Sequence, residues 1–259
     1  MSDLIGDSRF WRPLWSSYHT TPSIALCRVP ELEYASALSW SGHALDHCCG
    51  DGQFAALAWP QLRFAAGCDL APAALASARP RNRHQRLDQA DAGQSLPYAD
   101  EEFDLVFNNS ALEHIAELDA CLREVARVTR RGGAFSFNVL NHRYFEWWPL
   151  DAEACAGYRA WQPFHHALSL KEWTTRLAAV GFSVESVQGY FDQSTARTLA
   201  RLDFEFSGFY LKQRPSTLVA EYNSWTRRGK RRWQRELAAM CWRTEPEAGA
   251  GYFIRARRR

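Results

Sequence analysis

The stretch Ala44-Leu45-Asp46-His47-Cys48-Cys49-Gly50-Asp51-Gly52 decides how the rest of the chain is read. An apolar run over 43–49 predicts a short strand, and Gly50-Asp51-Gly52 predicts a tight turn. A small apolar helix over roughly 53–58 follows. Strand, glycine turn and helix in that order bring backbone close to a ligand and aim N–H groups at it. Seventeen residues after Gly52 stands Asp69, at the end of a second apolar strand, 64–69. A carboxylate there can accept both hydroxyl hydrogens of a ribose. The pair fits either a dinucleotide or S-adenosylmethionine (SAM).

Outward from this stretch, the pattern alternates. Pro72 suits the first turn of a helix through Ala78. Strands are expected at 84–88, at the almost wholly apolar 103–107, at 134–140 and 182–190, and finally at 251–257. Leu118, Leu122, Val125 and Val128 recur at helical spacing, with Gly132 and Gly133 expected to end that helix. Ser169 and Glu172 form a capping box ahead of a helix bearing Trp173, Leu177 and Val180, stopped by Gly181. Residues 191–249 are too long for a plain loop and rich in Leu, Phe, Tyr and Trp, so they read as inserted helices. The fold class is therefore α/β. It is a Rossmann-like, mostly parallel seven-stranded sheet with helices on both faces and a helical insertion before the last strand.

The segment 88–115, DQADAGQSLPYADEEFDLVFNNSALEHI, separates the two cofactors. It resembles the class I SAM-dependent methyltransferases, in particular the type 11 small-molecule group. The resemblance rests on Asp91-Ala92, on the LPY segment running into the strand 103–106, and on Leu112-Glu113-His114-Ile115. The turn Arg130–Gly133 and the helix pattern at 170–182 extend it over about residues 40–190 and the last strand. It implies SAM as cofactor and a small-molecule acceptor. It also implies cofactor contacts from Asp46, Gly50, Gly52, Asp69, Leu70, Asp91, Ala92 and Asn108, with Tyr18 in an N-terminal lid. On this reading a single domain covers 1–259. A lid segment takes 1–40, the cofactor-binding core 41–190, a substrate or cap insertion 191–249 and the final strand 250–259.

One departure stands out. The family's glycine run has Gly where this chain has Cys48. Adjacent cysteines are poorly placed for chelation, so Cys48 and Cys49 read as small packing residues and no metal is expected. Methyl transfer asks the protein mainly to align the acceptor and exclude water. A base is required only for a hydroxyl or a protonated amine. His114 and His166 are the candidates, because imidazole titrates near neutral pH.

The bulk numbers bound the partners. Net charge is +2, so no global field demands a polyanion. Between 197 and 235 ten basic residues face only Asp203, Glu205 and Glu221. That run reads either as a solvated helix face or as a site for an anionic acceptor, such as a phosphorylated sugar or a lipid diphosphate. Peripheral membrane contact stays open; nucleic acid is not the expected partner, since Asn108-Asn109-Ser110-Ala111 lacks the prolines and aromatic of amino-group base methylases, though the basic run would permit weak phosphate binding. No transmembrane run or secretory signal is visible, and seven cysteines without CxxC spacing suit the cytoplasm. The leading expectation is a methyltransferase acting on an oxygen of a natural product or glycan-type acceptor. The alternatives are a non-catalytic SAM-fold partner subunit and a membrane-surface enzyme on a lipid-linked anionic acceptor. An NAD(P) oxidoreductase has no use for the 88–115 pattern.

Overall fold

The computed structural model describes residues 3–259, apart from the side chain of Trp161. The chain divides into two compact units. The first is a sheet unit of residues 34–142, 164–188 and 252–259; the second is a helical unit of 3–33, 143–163 and 189–251.

The sheet unit is built on β1 (Ala44–His47), β2 (Phe64–Asp69), β3 (His84–Gln89), β4 (Phe103–Asn109) and β5 (Thr129–Leu140), with most of β6 (Phe182–Tyr190) and β8 (Gly251–Arg258). The order is β3-β2-β1-β4-β5-β8-β6, and the five strands from β3 to β5 pair in parallel. All four residues of β1 are buried, as are most of β4, as expected for central strands covered on both faces. The chain winds outward through β1, β2 and β3, then returns to lay β4 beside β1. The crevice at the carboxyl ends of β1 and β4 is thus the topological switch point, where open α/β sheets hold ligands.

The two faces are packed differently. Trp40, Phe54, Trp59, Phe64 and Phe107 form one aromatic layer, with Trp59 and Phe107 centroids 4.9 Å apart. On the other face Leu45, Val106, Phe135 and Phe137 meet the helices Leu118–Val128 and Leu170–Ala179. Trp173 of the second helix lies 5.0 Å from Phe137. Both partners of the Ser169/Glu172 capping box are in place.

Two expectations change. Gly132 and Gly133 do not end the helix, which stops at Val128; they lie inside β5. Between its pairings with Phe103 and Leu105, β5 advances from Thr129 to Ala134, so the glycines sit in a bulge. β-Branched Thr129 starts the strand, and its hydroxyl donates to the Val125 carbonyl at 2.6 Å, closing the helix without a glycine. The sheet also gains an eighth strand, β7 (Arg243–Thr244), antiparallel to Gly189–Tyr190 at the end of β6. Two residues are too short to leave a period in sequence.

The helical unit gathers helices from three stretches of chain. Helices form in 191–249 as expected, and also at Trp11–Tyr18, Pro22–Ala37 and Ala152–Trp161. Trp15, Phe206, Tyr222 and Trp225 surround Trp233, with centroids 5.0–5.9 Å away. Asp203 opens a π-turn, Asp203–Ser207, and accepts from Ser23 Oγ and Ser207 Oγ at 2.9 Å each and from the Tyr158 hydroxyl. Among the described residues no helix is long and apolar enough to cross a membrane.

Candidate active site

The glycine turn is held by β2. Cys49 N donates to the Cys68 carbonyl at 2.9 Å, and Gly50 N donates to Asp69 Oδ2 at 2.8 Å. The other oxygen, Asp69 Oδ1, accepts from Ala71 N at 2.9 Å. Asp69 therefore ties the loop after β1 to the loop after β2, while each oxygen keeps a lone pair for another donor. Gly52 (φ +72°) caps the helix Gln53–Ala58 without a side chain. Asp51 does the capping instead, accepting from Gln53 N at 2.9 Å and pairing with Arg81 at 3.0 Å.

Cys48 occupies the left-handed region, φ +61°. Glycine adopts this conformation freely, whereas a Cβ there costs roughly 1–2 kcal/mol. The departure at Cys48 is thus a change at a position whose backbone demands glycine's conformation. A Cβ added at Gly50 (φ +57°) would meet nothing within 4 Å, so the backbone at Gly50 faces open space.

A cleft of about 290 Å³ opens beside this loop. Cys48, Asp69, Leu70, Asp91, Ala92 and His114 contribute to its wall. Leu70 is 62 % exposed, an apolar side chain offered at the mouth. Asp91 makes an Asx turn, accepting from Gly93 N at 2.9 Å and Gln94 Nε2 at 2.8 Å. His114 ends a 3₁₀ turn, Leu112–His114, and its ring packs 4.7 Å from Phe164. A carboxylate with open lone pairs, an apolar flank and a bare backbone stretch are what a nucleoside with a charged amino-acid tail requires.

Gly50 and Gly52 lie in the turn beside the cleft and not in its wall, and Asp46, Asn108, His166 and Tyr18 lie elsewhere. Asp46 is buried away from the cleft wall, and its Oδ2 is 2.8 Å from His84 Nε2. Burial raises its pKa, and the hydrogen bond from His84 pulls the other way. Asn108 is fully buried; its Nδ2 donates to the His47 carbonyl at 3.0 Å and to His47 Nδ1 at 2.9 Å. His166 hangs by its backbone N–H on the Glu113 carbonyl, with Nε2 3.2 Å from the Ala116 carbonyl. Tyr18 ends the helix Trp11–Tyr18 of the helical unit.

His47 was not among the expected residues. Burial drops its pKa to about 4, so the ring is neutral at pH 7. Accepting at Nδ1 puts the proton on Nε2, which, like Asn108 Oδ1, has no partner among the described residues. The only signal in sequence is a histidine beside Asp46 at the end of a short strand.

A family model described as a methyltransferase domain, type 11, matches residues 45–137, which carry the glycine turn, Asp69, Asp91 and His114. That stretch is a methyltransferase domain, and the chain is similar to the class I SAM-dependent methyltransferases. A protein of Mycolicibacterium smegmatis, named a probable S-adenosylmethionine-dependent methyltransferase, is 29 % identical over 181 residues. That match spans 68 % of this chain and 65 % of that protein. A malonyl-[acyl-carrier protein] O-methyltransferase of Halorhodospira halophila is 46 % identical over 72 residues, 27 % of this chain and 24 % of its own length. In fold, a SAM-dependent methyltransferase from Thermotoga maritima aligns with a TM-score of 0.60 at 14 % identity, covering 96 % of this chain and 98 % of that one. SAM is accordingly the cofactor of this methyltransferase domain, and the cleft beside Asp69 fits it.

Proposed function

We propose that this methyltransferase moves a methyl group from SAM to an oxygen of a small-molecule acceptor, of natural-product or glycan type. The observation that carries the reading is the cleft joining Asp69, Leu70, Asp91 and His114 beside the glycine turn. Bound there, the cofactor supplies an electrophilic methyl group on a sulfonium. Asp69 would hold the ribose hydroxyls and Leu70 would flank the adenine, with Asp91-Ala92 at its edge. The Gly50 backbone gives room for the amino-acid tail. His114, on the wall of the same cleft, would accept the proton that a hydroxyl acceptor must lose. A carboxylate acceptor would need no base.

The family resemblance and relatives such as the Halorhodospira O-methyltransferase support an oxygen acceptor. A second reading, a SAM-fold subunit without activity of its own, is favoured by one observation, Cys48 in a glycine conformation at the cleft wall. His114→Ala separates the two roles of its ring. Turnover with a hydroxyl acceptor should fall at least tenfold, about 1.4 kcal/mol in barrier, with affinity for S-adenosylhomocysteine unchanged. Full turnover would return His114 to a packing role against Phe164.

A further inference from the structure

The helix Arg227–Ala238 of the helical unit breaks two rules of helix stability. Its first turn carries Arg227 and Arg228 and no acidic residue, placing positive charge at the positive end of the helix dipole. Arg227, Arg231 and Arg235 then follow at i, i+4 and i+8, where like charges repel along one ridge. All three are exposed, as are Arg228 and Arg232. Arg232 alone has an ion pair, with Glu236 at 2.9 Å; Arg227, Arg228, Arg231 and Arg235 form none among the described residues. The helix is held instead by Thr226, whose hydroxyl accepts from Gly229 N, and by the aromatic cluster around Trp233. Lys230 lies over the Tyr222 ring at 4.7 Å and so faces the unit, not the stripe.

Local rules are broken in folded proteins chiefly where function asks for it. We infer that this arginine stripe is a docking face for the acidic helix of a partner protein. The stripe runs about 12 Å, at 1.5 Å per residue, and presents rigidly spaced guanidinium forks. Guanidinium pairs bidentately with carboxylates, so a helix with Asp or Glu at i, i+4 and i+8 matches it charge for charge. An anionic membrane is the poorer match. A helix seated in a bilayer surface offers bulky apolar residues to the acyl chains. Here Trp233 is spent on the aromatic cluster and Leu237 is buried, so the exposed residues of the helix are five arginines and Glu236, with no large apolar side chain among them. The inference goes beyond the methyl-transfer reading, and its test has no methyl-transfer readout, so either can fail without the other.

The probe is a fluorescein-labelled acyl carrier protein, taken as a small acidic helical protein and followed by anisotropy at low ionic strength against the full chain. Saturable binding is expected, lost as salt is raised. The triple variant Arg227→Glu, Arg231→Gln, Arg235→Gln should weaken it at least about tenfold. That variant should melt no lower than the parent, because it removes the charge repulsion and restores acid at the helix start. A lower melting point would contradict the reading of the stripe as a cost to the helix. Absence of binding, or equal binding by the triple variant, would overturn the inference. Binding to phosphatidylglycerol vesicles without binding to the acidic protein would overturn it too, and assign the stripe to lipid.

Discussion

At the residue scale the chain's chief idiosyncrasy is Cys48. Its left-handed backbone (φ +61°) charges a side-chain-bearing residue for a conformation glycine takes freely. Cys48→Gly should therefore raise stability by roughly 1 kcal/mol, or about 2–4 °C in melting temperature for a chain this long. Differential scanning calorimetry checks this, and a lower melting point would mean that the half-buried thiol contributes more packing than its backbone costs. His47 makes a second claim. Its folded pKa of about 4 lies below the ordinary 6.5, so the unfolded chain binds the proton that the folded one refuses. Stability from this group is complete above pH 6.5 and drains as pH falls toward 4, by up to about 3 kcal/mol. In urea titrations His47→Gln should flatten that limb; an unchanged slope would place the acid sensitivity elsewhere.

At the element scale, the most regular patterns were the most legible. The apolar runs mark β1, β2 and β4 nearly to the residue, because a strand buried on both faces has little freedom in composition. The Ser169/Glu172 capping box was readable because it is a local code needing no tertiary partner. Ser169→Ala should cost about 1 kcal/mol in the melting of the whole chain, and a loss below a few tenths would show that the Trp173 face holds this helix alone. The bulge at Gly132-Gly133 was misread because a glycine pair signals a helix stop and a strand irregularity equally well. Only the pairing with β4, which no local pattern records, distinguishes them. The helices at 11–18, 22–37 and 152–161 escaped for a related reason. Helix Pro22–Ala37 contains Pro30 and buries residues around much of its circumference, so it shows no polar-apolar stripe.

At the scale of the whole molecule, chemistry-bearing positions were legible where they lie on strand ends and turns. Asp69, Leu70, Asp91, Ala92 and His114 come together on one cleft wall because parallel strands deliver their carboxyl ends to the same side of the sheet. The partners that bury Asp46 and Asn108 were not legible. His84 lies 38 residues from Asp46, and His47 lies 61 from Asn108, distances over which spacing carries no information. The acceptor is equally silent in the strand pattern. Calorimetric titration of the purified chain with S-adenosylhomocysteine, with NAD in parallel, tests the proposed cofactor cleft most directly. Micromolar binding of S-adenosylhomocysteine alone is expected, weakened by about 1–3 kcal/mol in Asp69→Ala. Binding of NAD, or no binding of S-adenosylhomocysteine, would contradict it.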